Sequence, residues 1–362
     1  MLFSPMSLGE LELPNRLVMA PLTRTRSGDE GIPGALMAEH YRQRASLGLI
    51  VSEATYPGPA GRSWPGQPGL HTTDQISGWK KVTDAVHAEG GRIFAQIMHG
   101  GRVSHEDITG GHRIVAPSAL AMAGEARTPK GKKPYPVPHA LTLEELPVVI
   151  QETVTASLNA IEAGFDGVEL HAGNGFLLHE FLSPSTNVRT DSYGGTPENH
   201  ARFVVETVEA VTAAVGAHRV GIRISPENEQ HDMDEANNAT ARATYQVLAD
   251  SIAPLKLAYL SMLHHDPSGD FVQDLRARFG GAFLVNSGFG IVTTRDEAIS
   301  LVADGHADAV VVGRPAIANP DLARRWKDGL PLNEPDTSTF YGEGAKGAKG
   351  YTDYPVYQES LS

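Results

Sequence analysis

Two side chains of one segment could act on a single ligand atom. His171 and Asn174 stand three residues apart just beyond the apolar run Gly167-Val-Glu-Leu-His171. An amide donates a hydrogen bond without titrating, and an imidazole donates from either ring nitrogen, so the pair suits an oxygen that gains negative charge. Arg223 lies inside another apolar run, Gly221-Ile-Arg-Ile224. A cation there is costly unless partnered, which leaves two readings: an ion pair with a carboxylate such as Glu169, or a seat beside an anionic or electron-rich ring. Ser287-Gly288 and Gly313-Arg314 end two late apolar runs. Glycines let a phosphate approach the backbone, and an arginine adds a charged fork; ordinary turn glycines with a surface arginine are the plain alternative.

Other chemistries find less support. His264-His265-Asp266 could ligate a metal, but adjacent side chains often point apart and no helical His pair of the HExxH kind occurs, so no metal is expected. Lys256 precedes its apolar run instead of ending it, which argues against a Schiff base. No Gly-x-Ser-x-Gly is present. With no cysteine among 362 residues, disulfides, thiolate catalysis and cysteine-ligated clusters are excluded.

Positioning these residues requires a scaffold, and its pattern is regular. Strand candidates fall at 16–20, 48–52, 92–97, 167–171, 220–224, 257–261, 282–286 and 309–313. Most are continuous apolar runs, as expected of strands buried on both faces. Helical segments alternate with them at 34–46, 74–89, 144–163, 197–215, 235–253, 270–278, 293–304 and 319–327, with caps expected at Thr73 or Asp74, Thr142, Thr196, and Thr293 or Thr294. Eight alternating pairs predict a closed (β/α)8 TIM barrel, read as a single domain over 1–362. No GxGxxG follows the first strand, as a doubly wound sheet would require. Residues 99–141 form a long excursion after strand three, and 330–362 an irregular tail rich in Pro, Gly and Tyr.

Active sites of such barrels sit at the carboxyl ends of the strands. That end gathers Pro21 and Thr23, Ala54, Gln96 and Met98, His171 with Asn174 and Phe176, and the late glycines with Arg314. A net charge of −13 disfavours nucleic acid and anionic membranes as partners. No run of 18 apolar residues spans a bilayer and no secretory leader is evident, so a cytoplasmic protein, monomer or homodimer, is expected.

The strand-end residues, in order, resemble those of the old yellow enzyme family of flavin-dependent ene-reductases, near the bacterial pentaerythritol tetranitrate and N-ethylmaleimide reductases. The resemblance runs through Asn15-Arg-Leu-Val-Met-Ala-Pro-Leu-Thr-Arg24, Ser52-Glu-Ala-Thr55, His99-Gly-Gly-Arg102, Asn187-Val-Arg-Thr-Asp-Ser-Tyr-Gly-Gly195 and Gly350-Tyr-Thr-Asp-Tyr-Pro355. It implies noncovalent FMN, reduced by NADPH or NADH, which passes hydride to an activated alkene such as an α,β-unsaturated carbonyl, with nitroalkenes or nitrate esters as secondary substrates. By the same resemblance Pro21, Thr23, Ala54 and Gln96 surround the flavin ring, and Arg223 faces its N1 and O2 edge. Gly288, Gly313 and Arg314 take the phosphate. His171 and Asn174 clamp the substrate oxygen, while Trp64, Tyr341 and Tyr351 border the mouth. Phe176 stands where many relatives carry a proton-donating tyrosine, and Met98 where near relatives carry tryptophan. The first departure keeps two alternatives open: a flavin-dependent isomerase that returns its hydride, and a flavin-binding redox sensor.

Overall fold

The computed structural model describes residues 1–288 and 290–359; Phe289 and the last three positions of the expected 1–362 domain lie outside the described residues. Strands β1 (Leu17–Met19), β2 (Leu49–Val51), β3 (Ile93–Ile97), β4 (Gly167–Ala172), β5 (Val220–Ile224), β6 (Tyr259–Leu263), β7 (Phe283–Asn286) and β8 (Ala309–Val312) close a barrel in chain order. Neighbours pair in parallel, with β8 returning to β1. The expected (β/α)8 fold is therefore what forms. The sixth strand begins two residues later than the pattern predicts, because Leu257 and Ala258 still belong to the approach to the barrel.

Around the barrel run α1 (Ala35–Arg42), α2 (Thr73–Ala88), α3 (Leu146–Glu162), α4 (Pro197–Val215), α5 (Ala239–Ile252), α6 (Asp270–Phe279), α7 (Arg295–Ala303) and α8 (Leu322–Asp328). Their apolar faces and the outward strand residues share one continuous core. Thr72, one position before the expected cap, forms a capping box with Gln75, and Thr294 does so with Glu297. Thr196 caps α4 as expected, and Asn238 starts α5 four residues later than predicted. Thr142 donates its backbone N–H to Glu145 at 2.9 Å, but α3 itself begins only at Leu146.

Inside the barrel, side chains alternate in and out along each strand, so in-register neighbours form layers. The lowest layer is apolar. Phe94 and Tyr259, with ring centroids 5.7 Å apart, fill space that Gly167 and Gly221 leave. A Cβ on Gly167 would come 2.4 Å from the Phe94 ring, and one on Gly221 2.3 Å from the Tyr259 ring. An antiparallel hairpin, Met6–Leu8 with Leu11–Leu13, packs Met6, Leu8 and Leu13 against this layer and closes the lower end. That hairpin was not anticipated.

The 99–141 excursion is more ordered than its composition predicts. It carries an antiparallel hairpin, Glu125–Thr128 with Gly131–Pro134, and a short parallel pair between Val115–Ala116 and His139–Ala140. The tail is irregular but pinned by arginines. Arg24 donates to the Gly350 carbonyl at 2.8 Å, and Arg325 to that of Pro355 at 2.9 Å.

Candidate active site

One layer above the Phe94–Tyr259 pair, the inward positions turn polar. Register pairs Gln96 with Glu169, His171 with Arg223, and Arg223 with Ser261. Gln96 donates to Glu169 Oε1 at 2.8 Å, and the Tyr259 hydroxyl donates to Oε2 at 3.0 Å. With both its oxygens engaged, Glu169 forms no ion pair with Arg223 among the described residues. Burial pushes the Glu169 carboxyl up, and the Arg223 charge opposes that shift. Arg223 instead donates to Ser261 Oγ at 3.0 Å and to Asn286 Oδ1 at 3.4 Å, both neutral. A buried cation whose hydrogen bonds go only to neutral groups suits an anionic or electron-rich guest.

Arg223 opens onto a cavity lined also by Ala20, Thr23, Gly288, Gly313 and Arg314. Gly288 has φ +108°, and a Cβ built there or on Gly313 would meet nothing closer than 3.6 Å. The backbone of this corner is thus open to a bulky anion, next to a guanidinium. The cavity shares Pro21, Thr23, His171 and Asn174 with a wider cleft of about 2000 Å3, solvent-open, whose walls include Ala54, Gln96, Met98 and Trp64. An aromatic ring system with an anionic tail matches this layout: a cation at the buried end, a carboxamide on one flank, and glycines at the charged corner.

Where the two cavities meet stand His171 and Asn174. Asn174 adopts φ +58°, a conformation asparagine tolerates better than most residues. Its N–H donates to Ser225 Oγ at 2.6 Å, and the Gly175 N–H donates to His179 Nδ1 at 2.9 Å. His179 is itself locked by Tyr245 and Glu235, all three buried. The loop geometry after β4 is therefore held from behind. The Asn174 amide nitrogen lies 3.3 Å from His171 Nε2, while His171 Nδ1 is buried without a partner. Burial, then the Arg223 charge, holds the imidazole well below its ordinary pKa, so it is neutral. Neutral donors that do not titrate can stabilise charge developing on a bound oxygen.

A match to the NADH:flavin oxidoreductase / NADH oxidase family covers residues 1–333. The chain is 42% identical over 364 residues to a probable flavin mononucleotide-dependent alkene reductase of Leishmania infantum, covering 98% of this chain and 97% of that one. Its fold matches the old yellow enzyme homologue of Zymomonas mobilis with a TM-score of 0.92 at 38% identity, over 98% of this chain and 99% of the other. It likewise matches morphinone reductase in complex with tetrahydroNAD, with a TM-score of 0.92 at 43% identity, over 100% and 99%. The chain belongs to the NADH:flavin oxidoreductase / NADH oxidase family. It is an FMN-dependent oxidoreductase of the old yellow enzyme kind, reducing activated C=C bonds with a nicotinamide as the electron source.

Within this old yellow enzyme, most residues picked from strand ends converge. Trp64 and Phe176 meet edge to face at 5.6 Å, and Met98 packs beside them on the cleft wall. Tyr341 stands exposed on the rim of both cavities. Tyr351 does not border the mouth. It is fully buried, stacked on His40 at 3.9 Å and covered by the Arg24 and Arg26 guanidinium groups. His264 and His265 do not point apart as expected: their rings stack at 4.3 Å, and His264 pairs with Glu227 at 3.1 Å. Among the described residues no group of three or more His, Asp or Glu is placed to hold a metal ion.

Sequence reasoning missed His231 and Arg127, which also line the cleft. His231 lies in a polar loop after β5 without periodicity, and Arg127 on the excursion hairpin. Neither sits at a strand end or in a segment that carries the family resemblance, the two signals that selected the others.

Proposed function

We propose that the substrate is an α,β-unsaturated carbonyl whose oxygen is gripped by His171 and Asn174, with nitroalkenes or nitrate esters as lesser substrates. The observation that carries this reading is the juxtaposition of two neutral donors with the cavity over Arg223. FMN, when bound, would supply the hydride chemistry at the substrate's β-carbon, with NADPH or NADH as the electron source. Thr23 and Gln96 would hold the ring's edges, Arg223 would offset negative charge at its buried end, and Gly288, Gly313 and Arg314 would hold the phosphate. His171 and Asn174 polarise the gripped oxygen and stabilise the enolate as it forms, the larger part of their effect. Pro21 and Ala54 would border the ring, and Trp64, Met98 and Phe176 shape the substrate side. Tyr341 covers the rim.

The test is anaerobic stopped-flow. NADPH-reduced protein mixed with cyclohexenone should lose its reduced-flavin signal, and His171→Ala should slow that phase by about 10²- to 10³-fold. An unchanged rate in His171→Ala would remove the pair from the mechanism. The reduced nicotinamide that the reaction draws on supports a cytoplasmic location. A monomer or homodimer is part of the same proposal, to be read by sedimentation velocity.

A further inference from the structure

Saturating a C=C bond takes one hydride and one proton, so the enone reading leaves a proton to be supplied at the α-carbon. Phe176, beside the donor pair, has none to give. His171 is occupied with the substrate oxygen, and Tyr341 stands out on the solvent rim. Asp29, Arg127 and Lys346, which also line the cleft, are exposed, whereas His231 is half-buried on its inner wall. Its ring centroid is 5.2 Å from that of Phe176, across which His171 stands at 5.3 Å. Nδ1 of His231 lies 2.6 Å from the Asn174 carbonyl oxygen. A carbonyl only accepts, so Nδ1 carries the hydrogen. Nε2 is then the free nitrogen, without a protein partner among the described residues, on a side chain that lines the cleft.

The ring is held in place by more than this bond. His231 adopts φ +57°, an uncommon conformation for a non-glycine residue. Arg102 donates to its backbone carbonyl at 2.8 Å. Gly175, at φ +80°, leaves the room it occupies, since a Cβ there would come 2.7 Å from the His231 Cβ.

We propose that His231 is the proton donor of the reduction, a reading that rests on the enone site above. Hydride arrival at the β-carbon forms one C–H bond and moves the π pair onto the α-carbon and oxygen. The Nε2–H bond of the imidazolium then breaks, leaving its electron pair on nitrogen. The α C–H bond forms, the carbonyl is restored, and water in the open cleft reprotonates Nε2. The groups facing the ring are His171 on β4, His179 behind Gly175, Arg102 from the excursion and Asp232 next in the loop. Burial and Arg102 lower its pKa, against the Asn174 carbonyl bond and Asp232, so the acid form gains as pH falls below 6.5.

The FMN-loaded protein reduces a cyclic enone methylated at both the α- and β-carbons in D2O, and NMR reads the syn and anti diastereomers deuterated at the α-carbon. Wild type should give one diastereomer, with single-turnover product formation rising as pH falls from about 8 to 5. His231→Gln, which keeps a hydrogen-bond donor to Asn174 but cannot act as an acid, should give a mixture, lose the acid limb and form product at least about tenfold more slowly at the acid end. Independently of turnover, 15N NMR of the histidine-labelled protein should show the Nδ1–H tautomer at high pH and Nε2 as the titrating atom. A single diastereomer and an unaltered pH profile in His231→Gln, or an Nε2–H tautomer, would overturn the assignment. Wild-type reduced flavin that cyclohexenone fails to reoxidise would instead overturn the enone reading beneath it.

Discussion

The lower and upper layers of the barrel interior are built on the same strands at the same inward alternation, yet they do opposite work. Below, Phe94 and Tyr259 interlock over Gly167 and Gly221 and are sealed by Met6, Leu8 and Leu13. Two residues further along the same strands stand Gln96, Glu169, Arg223 and Ser261, a polar network that leaves a cation facing a cavity. The apolar layer gains from close packing, which needs no guest. The polar layer is costly to bury and returns that cost only when something with complementary charge fills the space. One end of the barrel therefore carries stability and the other carries binding, separated by about one strand repeat of roughly 7 Å.

That division breaks if the ends are interchangeable. Phe94→Ala should open a cavity in the lower layer and destabilise the protein by about 3–5 kcal/mol, with FMN affinity little changed; urea unfolding and a fluorescence titration with FMN would show it. Arg223→Met should do the reverse. Losing the buried charge should weaken FMN binding by about 2–3 kcal/mol, some 30- to 150-fold, while the unfolding midpoint of the FMN-free protein holds or rises, because the hydrogen-bond partners of Arg223 are neutral and Glu169 keeps its bonds to Gln96 and Tyr259. Stability lost without affinity would sink the contrast. The smallest effect belongs to the cleft wall, where Met98 is a flexible filler beside Trp64 and Phe176. Met98→Trp should shift the kcat/KM preference from bulky towards small cyclic enones by about tenfold, near 1.4 kcal/mol; an unchanged ratio would make Met98 mere packing beneath the excursion.

Much of this was legible in the chain. Continuous apolar runs alternating with amphipathic helices can be satisfied by few architectures, and the strand-end rule then selects Thr23, Gln96, His171, Asn174 and Arg223 without coordinates. Legibility failed where position depends on a path through space. The loop carrying His231 and the hairpin carrying Arg127 reach the cleft through φ angles and packing that leave no periodic trace. Tyr351 was misplaced for a similar reason: a flexible-looking Gly/Lys stretch gives no measure of how far the tail advances before burying its next aromatic ring. His264 and His265 stack where alternation would splay them, because β6 ends at Leu263 and alternation ends with it.

Residue order alone determined the eight barrel strands and the helices that alternate with them, the absence of thiol chemistry, and which polar side chains ride on the barrel's inner face, since backbone periodicity and hydrophobic burial act locally. Tertiary structure decided whether Arg223 meets Glu169 or faces a cavity. It also decided which tyrosine borders the cleft and which imidazole nitrogen of His231 is free. Those outcomes depend on contacts between segments distant along the chain, where a hydrogen bond taken by one neighbour is denied to another.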